Sequence, residues 1–344
     1  MTTGVVYDEI FLAHDYPGHP ESRVRLESIL KRLHEAGVWE RLQPVPAREA
    51  TREELTRVHH WSYVEQVRTL SERGGGHLDP DTYVNRASYQ AALMAAGGLI
   101  EACRAVLEGR VRNAFALVRP PGHHAMPAQG MGFCLFGNVA LAAHDACYAA
   151  GLQRVLIVDF DVHHGNGTQA MTAEEPAICF ISTHQQPLYP GTGAARELAH
   201  GRAAGTLVNI PLSPGSGDGV FQAAYEQLVL PIARRFQPEL ILVSAGFDAH
   251  WDDPLAGLAL SLGGYNWLVR TLIRLAEELC AGRIVFALEG GYHLQVLSYG
   301  VLNTFRALLG DEAWEDPLGP CPWSGEPDVT SYLATLRRLH GLET

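Results

Sequence analysis

Residues Val155 to Gln169 read VLIVDFDVHHGNGTQ, and the change of character inside this stretch decides the fold. Val155 to Val158 is an unbroken aliphatic, β-branched run, the pattern of a parallel strand buried on both faces. Polar chemistry then begins abruptly with Asp159, Asp161, His163 and His164, followed by the flexible Gly165-Asn166-Gly167. Alternate residues of an extended chain share a face, so Asp159, Asp161 and His163 can point to one side. A carboxylate and an imidazole two residues apart at the end of a rigid strand suit a divalent metal. A turn with capping aspartates is the plainer reading, but two acids on a buried strand demand compensation.

On either side of this stretch, short apolar runs alternate with amphipathic segments, which predicts a parallel sheet covered by helices. Strands are expected at Gly4–Tyr7, Ala114–Val118, Val155–Val158, Ala177–Ser182, Thr206–Ile210, Glu239–Ser244 and Arg283–Leu288. Helices are expected at Ser22–Ala36, Thr51–Leu70, Arg86–Glu108, Gly137–Ala150, Gly217–Phe236, Gly263–Ala281, Gln295–Leu309 and Val329–Leu339. Thr51 and Glu54 form a capping box, and His59-His60 reads as structural. Ser71 to Asp81 reads as a glycine-rich loop at the rim of a site, and Gly97-Gly98 marks a place where something packs closely on its helix. With no repeat and no linker, one domain over residues 1–344 is expected.

Four of the expected strands run into unusual polar residues, always at the carboxyl end. Ala114–Val118 leads to His123-His124, Val155–Val158 to Asp159–Asn166, Glu239–Ser244 to Asp248, and Arg283–Leu288 to Tyr292. Open parallel sheets build their sites at the carboxyl ends of strands, so these groups should meet in one pocket. Asp161, His163 and Asp248 would supply three protein ligands and leave a coordination position open, the layout of a catalytic zinc site. Two carboxylates and one imidazole also accept Fe(II), Co(II) or Mn(II). One imidazole of the His123-His124 pair can serve as general base and acid. Tyr292, after a Gly-Gly pair, can donate its hydroxyl to a developing oxyanion. Near Asp248, His250 and Asp252 could contact a substrate but are rather expected in a solvated loop, and Cys134 as packing rather than nucleophile.

Composition bounds the class. The 344 residues carry 47% hydrophobic and 19% charged side chains, and no apolar run is expected to reach the length needed to span a bilayer. Six scattered cysteines without a CxxC spacing suggest reduced thiols, and no signal-peptide pattern opens the chain, so a cytoplasmic location is expected. A net charge of −12 without a basic cluster argues against nucleic acid as a partner. It would tolerate or attract cationic partners such as lysine-rich peptides or polyamines, and leaves a homo-oligomer open.

RPPGHHA (Arg119–Ala125), GFC (Gly132–Cys134), DFDVHHGNGTQ (Asp159–Gln169), AGFDAHWDDPL (Ala245–Leu255) and LEGGY (Leu288–Tyr292) together resemble the histone deacetylase superfamily. The similarity is greatest to its class II branch and the bacterial relatives of that branch, and includes GHPESRVRL (Gly18–Leu26). The resemblance spans residues 16–309, with residues 310–344 as a C-terminal extension packing on that core. It implies the arginase–deacetylase fold: a single three-layer α/β domain whose eight-stranded parallel sheet is flanked by helices. It also implies one Zn2+ on Asp161, His163 and Asp248, with His124 as general base and acid. His123 would stay protonated, paired with Asp159. A structural K+ would lie at Asp159, Ser182 and Thr183, together with the main-chain carbonyls of Asp161 and His163. Tyr292 would polarise the amide carbonyl. Gly132, Phe133 and Tyr189 would wall a tunnel for an aliphatic, lysine-like chain, with Asp81 at its rim. Arg25 would line the pocket floor by the same resemblance, and a helix-surface ion pair explains it equally well.

Within the superfamily, Asn166 stands behind His124 where class I members place a carboxylate, so His124 should lose its proton more readily. Leu255 occupies the place of the gatekeeper Glu of a polyamine-selective relative. The implied activity is deacetylation, or deacylation, of an ε-amino-acyl lysine or another small acylated amine, including an acetylpolyamine. A binuclear-manganese ureohydrolase would need a carboxylate where His250 stands. A non-catalytic acyl-binding module would have no need of the complete motif set.

Overall fold

A computed structural model of the chain describes residues 2–323 and 325–342. Its strands are β1 (Thr3–Val6), β2 (Gln43–Pro44), β3 (Gly75–His77), β4 (Tyr83–Asn85), β5 (Asn113–Ala116), β6 (Val155–Asp159), β7 (Ile178–Gln185), β8 (Leu207–Leu212), β9 (Leu240–Ala245) and β10 (Ile284–Leu288). Eight of them form one parallel sheet in the order β2-β1-β5-β10-β9-β6-β7-β8. Every residue of β5, β6, β7, β9 and β10 is buried, as the aliphatic runs require of strands covered on both faces. The flanking helices follow the expected segments. Val24–Glu35 packs on Leu294–Leu309, and Ser88–Leu107 on Asn138–Tyr148 and the strands beneath.

The register sets the site. Asp159, the last residue of β6, is level with Ser182 of β7 on one side and Ser244 of β9 on the other. The four strands whose ends carry the unusual polar residues, β5, β10, β9 and β6, are consecutive in the sheet. Their exit loops therefore face one another over a single stretch of sheet edge.

Four local departures have physical causes. β2 is a two-residue edge strand containing Pro44, too short and too polar to stand out; Val45 N–H still bonds the Val5 carbonyl at 2.8 Å. The glycine-rich rim segment contains β3, which pairs antiparallel with β4 just beyond it. The expected helix from Thr51 to Leu70 is broken into Arg52–Leu55 and Trp61–Glu72. The capping box at Thr51 and Glu54 forms, but His60 N–H leaves to bond the Pro127 carbonyl at 2.8 Å and His59 Nε2 accepts from Gly137 N–H at 2.9 Å. The segment after Asp218 contains a π-helical stretch, Tyr225–Val229, just before Pro231. Pro231 has no N–H for the Gln227 carbonyl four residues back. Arg337 of the final helix, Thr330–Leu339, donates to that carbonyl instead at 3.2 Å.

Ser88–Leu107 is long and apolar enough by composition to cross a membrane, contrary to the reading of its sequence, yet 72% of its apolar window is buried inside the protein. Gly97 explains the close packing: a Cβ there would collide with the Arg48 carbonyl and the Ala50 amide.

Buried neutral histidines give the fold a defined response to acid. Burial lowers His14 and His184 to about 3 and His59 to about 4. In the unfolded chain each ring takes a proton near pH ~6.5. Between that value and the folded value the unfolded state binds more protons, so their contribution is complete above the unfolded pKa and lost as pH falls. In EDTA-treated protein, a His184→Gln variant, which has no ring to protonate, should lose less Tm than the wild type between about pH 6.5 and 4.5 in calorimetry, and an equal loss would contradict the neutral assignment.

Candidate active site

The loop after β6 folds back so that its carboxylates are fixed by main-chain amides. Asp161 Oδ1 accepts from His163 N–H at 2.9 Å, and Asp161 Oδ2 from Gly290 N–H at 2.8 Å. Asp248 Oδ1 accepts from Val162 N–H at 2.9 Å, tying the β9 exit to the β6 exit. Gly246 and Gly290 make room for these carboxylates; a Cβ at either would collide with Asp161 or Asp248.

Asp161, His163 and Asp248 bring one donor atom each within 4.8 Å of one another, all buried. His163 Nδ1 lies 3.2 Å from Asp161 Oδ1 and 3.5 Å from Asp248 Oδ2. Asp248 Oδ2 is itself buried without a hydrogen-bond partner among the described residues. Burial and the neighbouring Asp161 charge push the Asp248 carboxyl up. Burial alone would also raise Asp161, but His123 and His163 outweigh it and hold that carboxyl well down. Burial would lower His163, yet the two carboxylates raise it to about 10. The pocket therefore attracts positive charge, and its two carboxylates and one imidazole fit a divalent cation of the zinc type.

The loop after β5 places the two imidazoles beside this cluster with different partners. His123 Nδ1 lies 3.1 Å from Asp159 Oδ2, and its Nε2 is 3.8 Å from Asp161 Oδ1. Burial opposes its charge, but Asp161 and Asp159 prevail and raise it well above an ordinary histidine. His124 lies against it, ring centroids 4.0 Å apart, and is held well below the ordinary value by burial and then by the His123 and His163 charges. Asn166 Nδ2 faces the sulfur of Met126, so its Oδ1 faces His124 Nδ1 at 2.7 Å. His124 thus donates from Nδ1 and keeps Nε2 free to accept a proton.

Tyr292 arrives on the loop after β10. Its amide donates to Asp253 Oδ2 at 2.8 Å, Arg25 stands 5.1 Å over its ring, and the Phe133 ring meets it edge-on at 5.8 Å. No described residue hydrogen-bonds its hydroxyl, and burial keeps that hydroxyl protonated by raising its pKa. Gly132 and Phe133 both have positive φ, 54° and 69°; a side chain on Gly132 would strike His124 and Tyr189. Tyr189 meets the His124 ring edge-on at 5.2 Å. Asp81 joins the same wall through Thr82, whose hydroxyl donates to Asp81 Oδ1 at 3.2 Å and accepts from Phe133 N–H at 3.0 Å.

Leu255 has its amide on Asp253 Oδ1 at 3.0 Å, and its side chain is exposed. Ser182 and Thr183 are buried behind the cluster. Ser182 Oγ lies 2.9 Å from His184 Nδ1, and Thr183 Oγ1 donates to the Asp159 carbonyl at 3.3 Å.

The structure decides between readings left open for some groups and adds one that was passed over. Arg25 is buried: Nε donates to the Gly291 carbonyl at 2.8 Å and Nη2 to the Glu289 carbonyl at 2.5 Å, while Glu21 pairs with both Arg25 and Arg119. The GHPESR motif contained the signal, but helical spacing alone left Arg25 on either face. His250 is a correction: it is fully buried, with its backbone bridged to Leu260, while Asp252 is exposed as expected. Asp253 was passed over because an acid beside a proline looks like an ordinary turn.

Residues 19–308 match the histone deacetylase domain family. The chain is 42% identical to Histone deacetylase 14, chloroplastic, of Arabidopsis thaliana, covering 88% of this chain and 75% of that protein. It is 41% identical to a probable deacetylase of Archaeoglobus fulgidus, covering 90% and 87%. To a histone deacetylase-like amidohydrolase of Pseudomonas aeruginosa it is 40% identical, covering 87% and 78%. The crystal structure of the HDA15 HD domain superposes with a TM-score of 0.90 at 39% identity, covering 99% of this chain and 96% of that one.

Proposed function

The chain belongs to the histone deacetylase family, and we propose that it is a zinc-dependent amidohydrolase that removes acetyl or another short acyl group from an ε-amino-acyl lysine-type substrate. The observation that carries this reading is the buried Asp248 Oδ2, without a hydrogen-bond partner among the described residues and 3.5 Å from His163 Nδ1 beside Asp161. Zinc held by Asp161, His163 and Asp248 would supply a Lewis acid that polarises a carbonyl and acidifies water.

The chain's own residues do the rest. His124 Nε2, left unprotonated by its surroundings, takes a proton from the attacking water, while Asn166 fixes the tautomer. His123 stays cationic between Asp159 and Asp161 and adds positive charge beside the reaction. Tyr292 donates its hydroxyl to the amide oxygen as negative charge develops there. His124 then returns its proton to the departing amine. Gly132, Phe133 and Tyr189 flank the aliphatic stem of the substrate, and Asp81 accepts hydrogen bonds from its main chain at the rim. A structural K+ at the Asp159 carbonyl, Ser182 and Thr183 would stiffen the start of the metal loop, a reading supported by the oxygens gathered there. The partner is a small acylated amine or an acetylated lysine, without nucleic acid or membrane, acting in the cytoplasm.

The test is turnover of acetyl-lysine peptides, longer acyl-lysines, acetylputrescine and acetylspermidine, before and after chelation. We expect the highest kcat/KM on an acyl-lysine and loss of turnover with the metal. A preference for the acetylpolyamines would move the substrate class, and binding without hydrolysis would leave only an acyl-binding protein.

A further inference from the structure

Besides the three proposed zinc ligands, His123, Cys134 and Glu289 form a second buried group of metal-binding type. Each of the three already has a protein partner. His123 Nδ1 is on Asp159, and Cys134 Sγ accepts from His124 N–H at 3.4 Å. Glu289 Oε2 accepts from Gly122 N–H at 2.8 Å and from His123 N–H at 3.2 Å, while its Oε1 accepts from Ser244 Oγ at 3.2 Å. Three consecutive amides of the histidine loop, Gly122 to His124, are therefore held by side chains from elsewhere. That makes the cluster a joint rather than a metal site.

The joint spans both halves of the chemistry. Glu289 opens the Gly290-Gly291-Tyr292 turn, its amide is on the Ala245 carbonyl at 3.0 Å, and its own carbonyl is gripped by Arg25. One residue thus links the exits of β5, β9 and β10, with Tyr292 on one side and the histidine pair on the other. The loop passes close to the neighbouring segment at Gly122, where a Cβ would meet the Asn138 amide and the Phe136 carbonyl at 2.6 and 2.7 Å. We propose that Glu289 is a positioning residue: its carboxylate, bonded to the Gly122 and His123 amides, fixes the distance between the His124 base and the Tyr292 hydroxyl. This rests on the hydrolase reading above. Reacting groups misplaced by about 1 Å lose roughly 10²-fold in rate, and the Glu289 carboxylate bonds Gly122, His123 and Ser244 rather than Gly132, Phe133 or Tyr189 among the described residues.

The test compares E289A and E289Q by kcat and KM on the best wild-type substrate, with metal content and Tm measured alongside. Gln can still accept both amide protons through its carbonyl oxygen, and its NH2 can donate to Ser244 Oγ. E289A should lower kcat about 100-fold with KM within about threefold, while E289Q should return to within about tenfold of wild type. Metal content should be retained in both. Wild-type kcat in E289A, or E289Q as impaired as E289A, would overturn the proposal; so would a loss that merely follows lost metal or lost Tm. If E289A does not fold, E289D takes its place: with the same carboxyl group but one methylene short, it should fall well below E289Q, and equal rates would overturn the proposal. Crystal structures of the variants separate this from the hydrolase reading. If no substrate is turned over by wild type, that reading fails, whereas a His124 ring unmoved in E289A or E289D overturns the joint.

Discussion

Tyr292→Phe lowers kcat by about 10²–10³-fold, a loss of roughly 2.7–4 kcal/mol of oxyanion stabilisation, with little change in KM. The substitution is clean because nothing else depends on the hydroxyl. The ring is set by Phe133 at 5.8 Å, by Arg25 at 5.1 Å and by a main-chain bond to Asp253, all of which Phe retains. The hydroxyl itself satisfies no described residue, so removing it leaves no orphan and Tm should hold. Burial keeps the phenol protonated, as a donor must be. Steady-state kinetics on an acetyl-lysine peptide decide the matter, and an unchanged kcat would remove Tyr292 from the chemistry.

Asp248→Ala should abolish both metal binding and turnover. A bound metal supplies several kcal/mol of charge stabilisation, so the rate should drop roughly 10³-fold or more. A second readout does not depend on activity. Asp161 and Asp248 are buried together, and each favours any cation that enters between them. A ligand bound only by the folded state raises Tm by mass action. A chelator should therefore lower Tm of the wild-type protein by several degrees and leave that of Asp248→Ala unmoved. Elemental analysis completes the test; stoichiometric metal in the variant would show that Asp248 is not a ligand.

Much of this architecture was legible from Val155 to Gln169 and its counterparts, because a fully buried parallel strand leaves an aliphatic run and a site leaves polar residues where that run stops. The edge strand Gln43–Pro44 left no such trace, since two exposed residues bury nothing. The break at His59-His60 was invisible for another reason: it is caused by main-chain partners at Pro127 and Gly137, distant in sequence. Asp161, His163, Asp248 and the histidine pair could be found by ligand chemistry. Arg25, Asp253 and Glu289 could not, because they act on backbone groups, and any acid or arginine in a turn looks alike until the loops are assembled.

The strand order has a consequence for how the molecule comes into being. β10, last of the ten in the chain, lies between β5 and β9 in the middle of the sheet. Until residues 284–288 take their place, the nascent sheet is two separate fragments, each with a fully buried-type apolar strand as an open edge. Such edges pair readily with the wrong neighbour. The insertion that seals them also delivers the Gly290 amide to Asp161 and brings in Tyr292. Biogenesis and competence thus share one closing step, and a polypeptide halted before Ile284 is not a slow catalyst but an aggregation-prone intermediate.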